Sequence, residues 1–208
     1  MRIYLDHNAA APLAPEAATA MTEAMALTGN PSSIHGHGRA VRRIIEDARE
    51  KLANCTSART EDIAFTASGS EACQLMLNVP RRPRILVSAT EHAAILEAAP
   101  DPETLPVQAD GLLDLDALEQ ALGEDASDAI VAVMLANNET GAIQPISEIG
   151  ARVHAKGGLL AVDAAQAFGK IPVSLKALDA DMLAFSSAKI GGPLGAGAAV
   201  FRKGVIPK

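Results

Sequence analysis

Short apolar runs that do not alternate with polar residues constrain this chain more than anything else in it. They fall at residues 84–88, 129–135, 159–162 and 182–185, and consist almost wholly of Ile, Leu, Val, Ala and Met. A strand with one wet face alternates, whereas a strand that stays apolar is covered on both faces. Between the runs lie stretches with helical spacing, at 92–98, 116–122 and 146–155. Upstream, 14–27 has helical character, and 38–54 places Val41, Ile44, Ile45, Ala48 and Leu52 on one helix face. Residues 62–66 read as a short strand, 197–201 as a last strand, and 1–6 as the first strand of the fold. Residues 80–83 and 99–106 read as loops. Strands interleaved with helices predict an α/β fold of three layers, a mostly parallel sheet covered by helices.

A length of 208 residues favours one domain over two. With one Tyr, four Phe and no Trp, the core has to be aliphatic. The net charge of −7 argues against nucleic acid as a partner. The densest basic cluster, Arg39, Arg42, Arg43 and Arg49, is interleaved with Glu46, Asp47 and Glu50 and reads as a solvated helix face. No apolar run is long enough for a bilayer, and no secretory leader is expected. Cys55 and Cys73 form neither a disulfide framework nor a metal motif, so both are expected to be small buried residues and no metal is expected. Together these features predict a cytoplasmic protein with no membrane partner.

In a parallel sheet, ligands gather beyond the carboxyl ends of the strands. Polar residues stand at five such ends: Thr66 to Ser70, His92, Asn137 and Asn138, Asp163, and Ser186 with Lys189. Taken singly, each has a plain reading. Ser70 caps a helix, His92 faces solvent at a helix start, and Asn137-Asn138-Glu139-Thr140-Gly141 is a turn. Asp163 caps the next helix, and Lys189 is a surface lysine on a turn.

Taken together they describe a cofactor site. Ser68-Gly69-Ser70 opening a helix can cradle a phosphate on free amides. The glycine-dense stretch from Gly191 to Gly197 lets the backbone approach a ligand or another segment closely. Asp163 ends a buried run, where a carboxylate needs a partner. An apolar run ending in Asp, then one leading to Ser-x-x-Lys, is what pyridoxal 5'-phosphate (PLP) asks for. The lysine forms an imine with the cofactor aldehyde, and the aspartate keeps a proton on the pyridine nitrogen.

Seven ordered motifs carry a resemblance that runs from Tyr4 to about Phe201. They are Tyr4-Leu5-Asp6-His7-Asn8-Ala9-Ala10-Ala11-Pro12; Gly29-Asn30-Pro31-Ser32-Ser33-Ile34-His35 with Gly38-Arg39; Phe65-Thr66-Ala67-Ser68-Gly69-Ser70-Glu71; Thr90-Glu91-His92; Ala136-Asn137-Asn138-Glu139-Thr140-Gly141; Val162-Asp163-Ala164-Ala165-Gln166; and Lys189-Ile190-Gly191-Gly192-Pro193. In this order they resemble the class V aminotransferases, and among them the cysteine desulfurases.

The resemblance implies the large domain of the PLP-dependent transferase fold type I over 1–208, with an N-terminal arm over about 1–35. The C-terminal small domain, with its sulfur-accepting cysteine and substrate-gripping arginine, is expected to be absent. Lys189 and His92 would be catalytic, Lys189 as the imine lysine and His92 stacked on the ring. Asp163 would pair with the ring nitrogen, Gln166 and Asn138 would lie near the ring oxygen, and Gly69, Ser70 and Ser186 would hold the phosphate. Ala188 stands where the family usually has His. The implied reaction cleaves the C–S bond of L-cysteine, giving alanine and a persulfide for iron–sulfur cluster or thiocofactor assembly. A homodimer and a sulfur-acceptor protein are the implied partners. Two other readings stay open: a non-catalytic homologue that binds a partner, and another class V enzyme such as a selenocysteine lyase.

Overall fold

The computed structural model describes residues 2–206. Seven strands form one sheet: β1 (Ile63–Thr66), β2 (Arg84–Ser88), β3 (Glu103–Leu105), β4 (Ala129–Met134), β5 (Leu159–Asp163), β6 (Met182–Ser186) and β7 (Gly197–Phe201). Their spatial order is β1-β7-β6-β5-β4-β2-β3. The five strands from β3 to β6 are mutually parallel, and β7 runs antiparallel to both of its neighbours, β6 and β1. The helices are α1 (Pro15–Met25), α2 (Gly36–Thr56), α3 (Gly69–Asn78), α4 (Ala93–Leu96), α5 (Leu115–Leu122), α6 (Ile146–Ala155) and α7 (Leu175–Leu178).

The absence of alternation follows from two cores. Because successive side chains leave a strand on opposite faces, Val131, Val133, Leu160, Val162 and Leu183 pack with Leu118, Leu122, Ile149 and Val153 of α5 and α6. Ile130, Ala132, Ala161, Met182 and Ala184 pack on the other face with Ala72, Cys73, Met76 and Leu77 of α3 and Ile95 of α4. All six residues of β4 are buried, as a central strand with two covered faces requires. This is the three-layer architecture that the apolar runs predict.

At the amino ends of the parallel strands an ionic cluster ties three segments together. The His154 imidazole faces Asp181 through Nε2 at 2.7 Å and Asp179 through Nδ1 at 3.2 Å. Arg202 reaches Asp179 at 2.8 Å and Asp181 at 3.4 Å. The buried Asp181 also accepts the Leu160 amide at 2.7 Å, so it serves the β5 backbone as well as the cluster.

The structure departs from the sequence reading in several places. Residues 2–6 form no strand, and Ile3, Tyr4 and Leu5 are exposed; Met1 lies outside the described residues. The arm instead uses its backbone on the site described below. The loop expected at 99–106 contains β3, an edge strand made by pairing with β2. The expected apolar face of α2 packs on the core only near its end, through Leu52 and Ala53, while Ile44 is exposed. Arg49 leaves the solvated set: its guanidinium donates to the Ile63 carbonyl and lies 5.0 Å from the Phe65 ring centroid. Cys55 is exposed, not buried, because it lies on the outer face of α2, and only Cys73 behaves as expected. No helix among the described residues is long and apolar enough to cross a membrane.

Candidate functional site

A cavity of about 650 Å³ opens beyond the carboxyl ends of the parallel strands. All eight residues singled out from the sequence line it: Gly69, Ser70, His92, Asn138, Asp163, Gln166, Ser186 and Lys189. They come from five separate strand ends, so it is the parallel topology that brings them together. Thr66 and Asn137 do not line it; they shape the loops that do. The Thr66 hydroxyl donates to the Ser68 carbonyl at 2.8 Å. The Asn137 side chain accepts the amides of Glu139 and Thr140 and donates to the Thr90 carbonyl.

One wall is the amino end of α3. Ser68, not Ser70, is the cap: its hydroxyl accepts the Glu71 amide at 3.0 Å, and the Glu71 carboxylate accepts the Ala67 amide at 2.7 Å. The Gly69 and Ser70 amides are first-turn donors without an intrahelical acceptor. Ser70 is thereby left free at the cavity wall. Gly69 packs on Ser186, whose Cβ would lie 3.0 Å from an added methyl, so the wall closes tightly against the end of β6.

Asp163 ends β5 at the cavity floor. One carboxylate oxygen accepts the Ala165 amide at 2.8 Å, which makes a turn rather than a helix cap. Burial pushes this carboxyl above its ordinary value. The Ala165 hydrogen bond and the charges of His92 and Lys189 oppose that rise. Across from it, His92 caps α4, its Nδ1 accepting the Ala94 amide at 3.1 Å.

Lys189 does not dangle on a turn. Its ammonium donates to the carbonyls of Asn8 at 2.8 Å and Ala9 at 2.6 Å. Gln166 donates to the same Asn8 carbonyl at 2.8 Å, and its own oxygen accepts from Lys170 at 2.7 Å. Asn8 in turn donates to the Asn138 carbonyl at 2.9 Å. The arm is thus strapped across the cavity mouth, with further backbone bonds from Ala11 to Ala188 and from Ala14 to Gly191. The Asn138 amide donates to Glu139 at 2.7 Å. Asp6, Asn8 and Ala9 line the cavity beside the predicted residues. The sequence signal for them was their place in a polar motif between apolar residues, but a strand reading masked it.

Among the described residues no cluster of His, Cys, Asp or Glu could hold a metal. The donor set instead suits a flat anionic cofactor: free amides for a phosphate, a buried carboxylate for a protonated ring nitrogen, an imidazole in the wall, and an amine at the mouth.

A fold and a sequence of this kind are shared with known proteins. The class-V aminotransferase family model matches residues 3–208, and the chain belongs to that family. Within it, the chain is 40% identical over 219 residues to a cysteine desulfurase of Cereibacter sphaeroides, with 98% of this chain and 56% of that protein covered. It is 36% identical over 219 residues to an IscS-like cysteine desulfurase of Mycobacterium tuberculosis, covering 97% of this chain and 56% of the other. Among solved structures, a NifS-like protein from Rickettsia africae superposes with a TM-score of 0.90 at 35% identity, over 97% of this chain and 58% of that one. A protein solved in complex with cysteine, SspA, superposes at 0.86 with 26% identity, covering 97% of this chain and 62% of its own. The chain therefore spans a little over half the length of the curated relatives it matches.

Proposed function

We propose that this chain is the cofactor-holding large domain of a PLP-dependent cysteine desulfurase. The observation that carries the reading is the convergence of the eight predicted residues on one cavity, in a class-V aminotransferase chain whose relatives include cysteine desulfurases. The fit to PLP rests on Asp163: a buried carboxylate with a single amide donor and no direct ion pair among the described residues. Such a group needs a cationic N–H, and a pyridinium supplies one.

Bound PLP supplies an electron sink for bonds broken at an amino acid's α-carbon and beyond. The protein's part is to hold and orient it. Asp163 would keep the ring nitrogen protonated, and His92 would cover the ring. The Gly69 and Ser70 amides, with the Ser186 hydroxyl, would take the phosphate, where the α3 dipole favours the anion. Asn138 and Gln166 would serve the ring oxygen after giving up their present contacts with Glu139 and Asn8. Lys189 would carry the cofactor covalently and serve as the proton-transferring amine, with His92 beside it. Ala188 leaves the position before the lysine without a titrating group.

L-cysteine as substrate is supported by the desulfurase relatives and by the cysteine-bound structural neighbour. A homodimer, a sulfur-acceptor protein, a role in iron–sulfur assembly and a cytoplasmic setting accompany that reading through the family. The division into a large domain over 1–208 and a small domain outside it accords with the share of the relatives that is covered.

The test is direct. Chain mixed with PLP should turn yellow, borohydride should fix the cofactor's mass on Lys189, and Lys189→Ala should remove both signals. A colourless protein with no labelled lysine overturns the reading.

A further inference from the structure

Glu91 is the buried acid that the proposed chemistry leaves unused. It lies beside His92 in the turn after β2, yet it points inward and is only 7% exposed. Its Oε1 accepts the Met134 amide at 2.7 Å, two residues beyond Ala132, where β4 stops pairing with β2. Its Oε2 is buried and has no hydrogen-bond partner. Met134 is the residue that faces Asp163 in the β4–β5 register. The acid therefore hangs on the same backbone position that flanks the cavity floor.

The groups around it differ in what they offer a negative charge. Asp163 on β5 repels it, and Cys73 on α3 is an apolar-packed thiol. Among the described residues no basic group forms an ion pair with Glu91. Asp163, by contrast, is near His92 and Lys189. Two carboxyls that share one buried region divide their protons unequally, and the one without a cation keeps its proton. Burial and the Asp163 charge indeed raise Glu91 well above the ordinary carboxylate range, although the Met134 hydrogen bond opposes them.

We propose that Glu91 is a positioning residue of this site: its neutral carboxyl pins the Thr90–His92 turn to β4 and adds no negative charge beside Asp163. The role rests on the PLP reading for its purpose, but its protonation stands independently of any cofactor. The turn it fixes carries His92, and Glu91 adds a tie to β4 beyond the Glu91 amide on the Ser88 carbonyl, the Ser88 and Thr90 hydroxyls 3.1 Å apart, and the Asn137 side-chain amide on the Thr90 carbonyl.

Two measurements test this, one of them without PLP. A carboxyl whose folded value exceeds its unfolded value near 4.5 makes the folded chain bind more protons, so its stability contribution falls as pH rises through that window. Melting of the cofactor-free chain is compared for wild type and Glu91→Gln from about pH 5 to about pH 7. The Gln chain should gain on wild type by about 3 °C per pH unit. Parallel curves overturn the proposal, whatever PLP does. With PLP added, Glu91→Ala should weaken binding about tenfold, and Glu91→Gln, which keeps the acceptor for Met134, should restore it with no shift in the pH of the colour change. A Gln chain whose colour change moves by more than about half a pH unit shows that Glu91 carried charge, and overturns the proposal. If no chain, wild type included, binds PLP, the cofactor reading fails while the melting comparison still decides the state of Glu91.

Discussion

Gly197→Ala reaches the cavity from behind. Gly197 opens β7 between Thr66 of β1 and Ser186 of β6. An added Cβ would lie 2.6 Å from the Ser68 carbonyl oxygen and 2.8 Å from the Thr66 hydroxyl. To reach ordinary contact at 3.4 Å, the Ser68 carbonyl has to retreat by roughly 0.8 Å, a shift of the overpacking kind. That carbonyl accepts from Thr66 Oγ1 at 2.8 Å and from the Ala72 amide at 3.1 Å, and the Ser68 side chain caps α3. Losing one neutral hydrogen bond costs about 1 kcal/mol. Loosening the cap costs about as much again, so the total is about 2 kcal/mol. For a chain of this size that lowers the melting temperature by about 4–8 °C, read by circular dichroism. The same shift displaces the Gly69 and Ser70 amides, so PLP affinity, followed by absorbance, should fall about tenfold, the worth of one charge-assisted hydrogen bond. Gly36→Ala is the control, because its added methyl meets nothing within 4 Å. A Gly197→Ala chain that melts with wild type and binds PLP equally would show that the cradle does not depend on this close approach.

Other outcomes follow from burial and pairing. Cys55 is exposed, whereas Cys73 is 2% exposed and its thiol is pushed up by burial first, then by the Asp163 charge. Alkylation followed by mass spectrometry should label Cys55 at least about tenfold faster, and equal rates would contradict the packing of α3. Asp181→Ala should cost about 3 kcal/mol, because it strips the Leu160 amide, His154 and Arg202 of a common acceptor. Its melting temperature should drop by about 6–12 °C while PLP affinity stays at the wild-type value, since the cluster lies at the opposite end of the strands.

The fold and the site were not equally legible in the sequence. Unbroken apolar runs such as 129–135 announce strands covered on both faces, and the parallel order then sends Asp163, Ser186, His92 and Asn138 to one rim. That inference needs only local patterns and a rule of topology. β3 was hidden because three residues in a proline-flanked segment become a strand only by pairing with β2. The arm misled for a related reason. Its apolar residues look like a strand, yet its value to the fold lies in the carbonyls of Asn8 and Ala9, which no side-chain pattern reports. Cys55 was placed inside because cysteines usually are, but the helix turn sets it outward. Glu91 enters the sequence reading only as a member of the Thr90-Glu91-His92 motif, and its inward turn depends on the Met134 amide of a strand more than forty residues away.

The placement of β7 has a consequence for how the molecule comes into being. β1 is an edge strand whose only partner in the sheet among the described residues is β7, so Ile63 waits for Val200. The strands from β2 to β6 can condense with neighbours close by in the chain. The strand leading to the Ser68–Ser70 turn must close a loop of well over a hundred residues to pair with β7, a step slowed by the entropy of bringing distant segments together. On a ribosome the residues of β1 and α3 would emerge with their cavity-facing turn unsupported by β7. The wall that Gly69 and Ser186 share would then close only when β7 slides between β6 and β1, so the cavity takes its form after the parallel strands have paired.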